Sequence, residues 1–287
     1  MLSQSESAVY DRQIRLWGVS SQTKLKSSSV LVSGLSPVNI EIAKNLVLAG
    51  TNVTLHSTTQ DLTENMLTLL EPRPDLPDVL TRTAEALRTL NPLAHVRHSS
   101  ADLDFSEALA VVDWTRSWRQ MSATQRDKLR SKTIVTIETT LGTLSVLDFD
   151  GHEILEESHV KQDHRLPLPG RVVAPSVDAA IAASACRPRK RKEPQLLEQA
   201  FKVLRGEDTL EGEVDLALAA VTGGLLAQEV VKKITGKDVP LLNTLCVDEA
   251  SMGAFVQAVG EARIDWLGQV EEDVEVVGQD NAIEVEL

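Results

Sequence analysis

Apolar residues along the chain change period several times, and each change marks an element. Tyr10, Ile14 and Trp17 stand at i, i+4 and i+7, one face of a helix over 7–17 that Gly18 ends. A second short helix is expected over Ser21–Lys26. Val30–Ser33 is a continuous β-branched run, a buried strand by length and composition. Ser36 at the N-cap, Pro37 at the first helical position and Gly50 past the end frame a helix over Pro37–Ala49. Further strands are expected at Asn52–His56, His95–His98, Leu109–Asp113 and Thr133–Glu138, with helices over Val79–Leu90 and near Ser122–Ser131. Asp150-Gly151 between two apolar runs predicts a hairpin of Thr143–Phe149 and His152–Glu156. Helices Pro194–Leu204 and Val214–Ile234 follow, then strands Thr244–Val247 and Ala254–Ala258.

This alternation predicts an α/β fold: a mostly parallel sheet covered by helices on both faces. Residues 1–157 and 193–260 read as two parts of one domain. Residues 158–192 read as a linker or excursion: they hold His159, His164, four of the eleven prolines and the basic run Arg187-Pro-Arg-Lys-Arg-Lys192. Residues 261–287 read as a disordered acidic tail.

Composition narrows the class. The hydrophobic share of 42% and charged share of 25% suit a soluble globular protein. No apolar run approaches the roughly 20 residues that span a bilayer, and the first residues lack the layout of a signal peptide. Of the net charge of −13, the stretch from Glu261 onward holds a net −8, with nine acids against one arginine. Such a balance argues against nucleic acid as a partner. Cys186 and Cys246 lie far apart in no Cys-x-x-Cys pair, so no structural metal site is expected, and an intracellular setting is the default.

The candidate chemistry lies at Val30–Gly50, the strand–turn–helix opening of a nucleotide-binding α/β domain. Its loop should read Gly-x-Gly-x-x-Gly but reads Gly34-Leu35-Ser36-Pro37-Val38-Asn39. Glycines there let backbone N–H groups approach phosphate at the helix N-terminus. Pro37 has no N–H, and Val38 and Asn39 add side chains where close approach is wanted. This chain is expected to bind no nucleotide cofactor by itself.

Three stretches together carry a resemblance: Tyr10-Asp-Arg-Gln-Ile-Arg-Leu-Trp-Gly18, Glu41-Ile-Ala-Lys-Asn-Leu-Val-Leu-Ala-Gly50 and Thr222-Gly-Gly-Leu-Leu-Ala-Gln-Glu-Val-Val-Lys232. In this order they resemble the activating enzymes of ubiquitin-like proteins, and within them the small, non-thioester subunits of SUMO-activating heterodimers. The resemblance runs from about Tyr10 to Gly260 and weakens through 57–78 and 158–210. It implies a Rossmann-like adenylation domain that pairs with a larger catalytic subunit. That partner would bind ATP and Mg, adenylate the C-terminal glycine of SUMO and carry the thioester cysteine, with a SUMO-conjugating enzyme acting downstream. It also places Arg12 as an arginine reaching in trans to the partner's ATP phosphates, where it would stabilise developing charge. Strand Asn52–His56 ends in a histidine where active relatives keep an acid for the ribose.

Other features read two ways. Gly223 and Gly224 inside a long helix cost about 1 kcal/mol each relative to alanine, which suggests close packing, and the resemblance puts them and Gln228 near the dimer interface. The basic run is a nuclear-import signal or a solvated loop, so nuclear and cytoplasmic location is expected. Val274, Val276 and Val277 within an acidic cluster resemble a SUMO-interacting strand, against a plain solvated tail. Alternatives to the leading reading are the regulatory subunit of a neddylation activating enzyme, and a catalytically dead α/β scaffold. The first lacks room here for the long central insertion that such subunits usually carry.

Overall fold

The computed structural model describes residues 2–57, 76, 78–101, 109–155, 169–184, 195–207, 214–266 and 283–285. Helix α1 (Gln4–Val9) starts on a capping box in which Ser3 and Glu6 satisfy one another's backbone N–H. Helix α2 (Asp11–Ser27) runs across a kink at Gly18 and takes in the second expected helix and most of the first, whose residues 7–9 fall in α1. Strand β1 (Ser29–Ser33), helix α3 (Pro37–Leu48) and strand β2 (Asn52–His56) follow as expected. Asp78 caps α4 (Val79–Leu90), which leads to β3 (Val96–Ser99) and β4 (Leu109–Asp113). A single 3₁₀ turn, Trp118–Gln120, and the short α5 (Ala123–Lys128) precede β5 (Thr133–Thr139) and β6 (Gly142–Asp148).

Strands β7 (Glu153–Ile154) and β8 (Gly170–Val173) lead to α6 (Val177–Ser184) and α7 (Gln195–Leu204). Helix α8 (Leu216–Thr235) is capped by Asp215 and stopped by Gly236 in the left-handed conformation. Strands β9 (Thr244–Asp248), β10 (Ala254–Gln257), β11 (Arg263–Trp266) and β12 (Ile283–Val285) complete the order.

Nine strands form one sheet in the order β12-β10-β9-β6-β5-β4-β1-β2-β3. The half from β3 to β5 is parallel, and from β5 to β12 the neighbours run antiparallel. Alternate residues feed the cores on the two faces. Val30, Val32, Val53, Leu55 and Val111 join α3, α4 and α8, while Leu31, Ala110, Val112 and Val135 join α6 and α7. The fold is the Rossmann-like α/β architecture, with helices on both faces.

Three expectations change. The hairpin of 143–149 with 152–156 does not form, although a turn is present at Gly151, where His152 N donates to Phe149 O. Strand β6 already pairs with β5 on one edge and β9 on the other, so β7 joins β8 and β11 in a separate three-stranded sheet. The excursion 158–192 contains β8 and α6 among its described residues, and the stretch read as tail contains β11 and β12. The short Val–Val and Ala-rich runs there were too brief to stand out by period. Cys186, the basic run 187–192, His159, His164 and Val274, Val276 and Val277 lie outside the described residues.

Candidate functional site

Parallel strands β1, β2, β4 and β5 bring their C-terminal ends together around the loop Gly34–Asn39, the place where open α/β sheets hold ligands. Here the place is filled by the chain itself. Leu35, Ser36, Val38 and Asn39 are all fully buried. Gly34 has φ +80, and a Cβ there would meet the Asp113 Cβ at 2.7 Å and the Arg116 Cβ at 3.2 Å. The one surviving glycine is thus required by a positive φ and by the turn after β4, which folds down upon it.

The first three positions of α3 offer no free N–H. Pro37 has none, Val38 N donates to Glu138 Oε1 at 3.0 Å, and Asn39 N donates to Ser36 Oγ at 3.2 Å. A carboxylate from β5 therefore sits where a bound phosphate would sit at a helix N-terminus. Asn39 is consumed the same way: Nδ2 donates to Gly34 O at 2.8 Å, and Oδ1 accepts from Thr136 Oγ1 at 2.9 Å. Below the loop, Ser33 Oγ lies 2.8 Å from His56 Nδ1 and 2.7 Å from Ser117 Oγ. His56 is thereby turned into the interior network.

Two buried acids face each other here. Burial, then the nearby Asp113 charge, lifts Glu138 to about 7 from an ordinary 4.5. Burial also raises Asp113, against the opposing pull of Arg116, whose N and Nη1 donate to its carboxylate at 2.6 and 3.3 Å. A carboxyl with a raised folded-state pKa contributes stability below its unfolded value and loses it as pH rises through the folded one. Glu138 alone should remove on the order of 3 kcal/mol between pH 4.5 and 7. Glu138→Gln, compared with the unaltered chain by urea unfolding across pH 4.5–8, should flatten that slope; an unchanged slope would assign it elsewhere.

Sequence reasoning missed Glu138, Asp113 and Arg116 as the groups that close the loop. The available signal was an acid at or next to the C-terminal end of two consecutive strands, Asp113 on β4 beside β1 and Glu138 on β5 beyond it.

The opening motif is anchored at three points and leaves Arg12 exposed and without an ion pair among the described residues. Tyr10 is buried and its hydroxyl accepts from Asn91 Nδ2 at 2.9 Å. Gln13 donates to Leu48 O, and Trp17 Nε1 donates to Gln22 Oε1, whose amide reaches Ala49 O at 2.8 Å. Asp11 pairs with Arg15 at 3.0 Å. Arg12 is exposed and makes no ion pair among the described residues, close to the exposed Leu16 and Val9 on the same stretch.

The helix glycines separate. A Cβ on Gly223 would meet the Glu41 Cβ at 2.4 Å and the Ile42 N at 3.2 Å, so Gly223 serves the crossing of α8 on α3 within the chain. Gly224 has nothing within 4 Å, and Gln228 is exposed. Cys246 is buried in β9, and burial pushes its thiol far up, away from nucleophilic use. Among the described residues no cluster of His, Cys, Asp and Glu could hold a metal, and no helix is long and apolar enough to cross a membrane.

No protein-family model matches the chain. Its homologues are named SUMO-activating enzyme subunit 1. Subunit 1B-1 of Arabidopsis thaliana is 27% identical across 86% of this chain and 94% of its own length. Human SUMO-activating enzyme subunit 1 is 57% identical over 49 residues, 17% of this chain and 14% of that protein. Among solved structures, E. coli MccB matches with a TM-score of 0.57 at 14% identity, covering 98% of this chain and 76% of that one. PaaA matches with a TM-score of 0.53 at 14% identity, over 93% and 75%. At such identity these two establish the fold alone.

Proposed function

We propose that this chain is the regulatory half of a SUMO-activating enzyme, pairing with a larger catalytic subunit that adenylates the C-terminal glycine of SUMO. The observation that carries the reading is the end-to-end similarity to a named SUMO-activating subunit, spanning nearly all of that relative. The closed loop supports a division of labour. With Pro37 lacking an N–H and Val38 N held by Glu138, α3 has nothing to offer a phosphate, so ATP and Mg belong to the partner. Arg12 then acts across the interface on the partner's phosphates, as a cation with no competing acid of its own among the described residues. Gly224, Gln228 and the exposed Leu16 and Val19 are surfaces available for pairing. The basic run 187–192 suits a nuclear place of work.

The test is reconstitution. Co-expression with a larger subunit bearing an intact glycine loop and a catalytic cysteine should give a heterodimer that exchanges pyrophosphate into ATP when SUMO is present. The isolated chain should show no ATP binding by calorimetry. Nucleotide binding by the isolated chain, or failure of the two subunits to associate, would overturn the reading.

A further inference from the structure

The β10 edge of the main sheet shows a feature that the proposed function does not use. Asp248 N donates to Gly253 O at 3.0 Å, so the Gly253 carbonyl faces β9. Ladder groups on an antiparallel strand alternate in direction, which turns Phe255 toward β9 and turns Ala254 and Val256 away from it. Their register partners on the far side are Val285 and Ile283 of β12, the last strand of the sheet order. The N–H and C=O groups of Ala254 and Val256 are thus covered by the chain's own C-terminal segment and by no other described element.

That segment has the marks of a removable cover. Strand β12 is three residues long, and so short an added strand is marginal by itself. The chain leading to it is fixed at β11, which pairs with β8; Ile264 and Trp266 pack against the core, and the Trp266 ring lies over Gly170. The tether therefore keeps the segment near β10 whether it is docked or not. Its sequence, Ile283-Glu-Val-Glu-Leu287, alternates aliphatic and acidic residues, a pattern of extended peptides that add to sheet edges.

We propose that the β10 edge is a strand-addition site whose resident ligand is this chain's own C-terminal segment, docked reversibly. The edge accepts in its place an extended peptide of alternating aliphatic and acidic residues. The inference stands on backbone register and is independent of the SUMO reading.

Residue-resolved amide exchange on the full chain tests it. Val285→Pro removes an N–H that faces β10, whereas Glu284→Pro removes one that faces away and is tolerated on an edge strand. In the Val285→Pro chain the Ala254 and Val256 amides should exchange at least about 10-fold faster, with the Phe255 amide unchanged. Glu284→Pro should leave all three near their original rates. A peptide of residues 279–287 added at millimolar concentration should restore slow exchange in the Val285→Pro chain. Equal responses to the two prolines, coil-like exchange of Ala254 in the unaltered chain, or no effect of the peptide would overturn the proposal.

Discussion

Arg12→Ala should lower SUMO adenylation by the reconstituted heterodimer about 100-fold, the loss typical when one preorganised donor to developing charge is removed. The same change should leave the stability of the isolated chain within about 0.5 kcal/mol, because Arg12 is exposed and makes no ion pair among the described residues. Arg15→Ala is the matched control. It removes an exposed arginine one turn away that is already paired with Asp11, and should change adenylation less than threefold or so. Pyrophosphate exchange at saturating SUMO reads the effect, and Arg12→Lys separates charge from geometry: a point charge without the planar fork should recover only part of the rate. Equal losses at Arg12 and Arg15 would make the region a pairing surface rather than the source of a catalytic cation.

The second large effect is on the fold. Gly223→Ala should destabilise the chain by about 2–3 kcal/mol, because the new methyl would lie 2.4 Å from the Glu41 Cβ and against the α3 backbone. The neighbours include main chain, so α8 must move off α3, and both helices carry much of one core. Gly224→Ala, with nothing within 4 Å, should instead stabilise by about 0.5–1 kcal/mol through helix propensity. Urea midpoints of the two variants should move in opposite directions; midpoints moving together would refute the assignment of the crossing to Gly223. If Gly224 lies in the heterodimer interface, its alanine variant should also weaken association while the isolated chain gains stability.

Much of this architecture was legible from local signals. Helix α3 carries its own instructions: Ser36 caps it and Pro37 starts it, and the structure places both as the pattern requires. Strand β1 needed only its β-branched run. The hairpin at Asp150-Gly151 was misjudged for a reason no local pattern records, since whether β6 has a free edge depends on β9, nearly a hundred residues later. The loop shows the same limit. Pro37 and Asn39 reveal a spoiled phosphate cradle, yet its cover comes from Asp113, Arg116 and Glu138, which are brought to Gly34–Asn39 by the pairing of β1 with β4 and of β4 with β5. Arg12 could be singled out by resemblance, while its having no ion pair among the described residues, beside the paired Arg15, is visible only in three dimensions.

The carboxylate of Glu138 on the first turn of α3 has a consequence for any attempt at reversal. Writing glycines back at 36 and 39 and removing Pro37 would restore the wording of a nucleotide loop without reopening it. The Val38 N–H would still be claimed by Glu138, and the turn at Asp113–Ser117 would still rest on Gly34. An anion arriving from solvent would have to displace a tethered rival already seated on that N–H. The closed loop is thus held by a second lock, two strands away from the first.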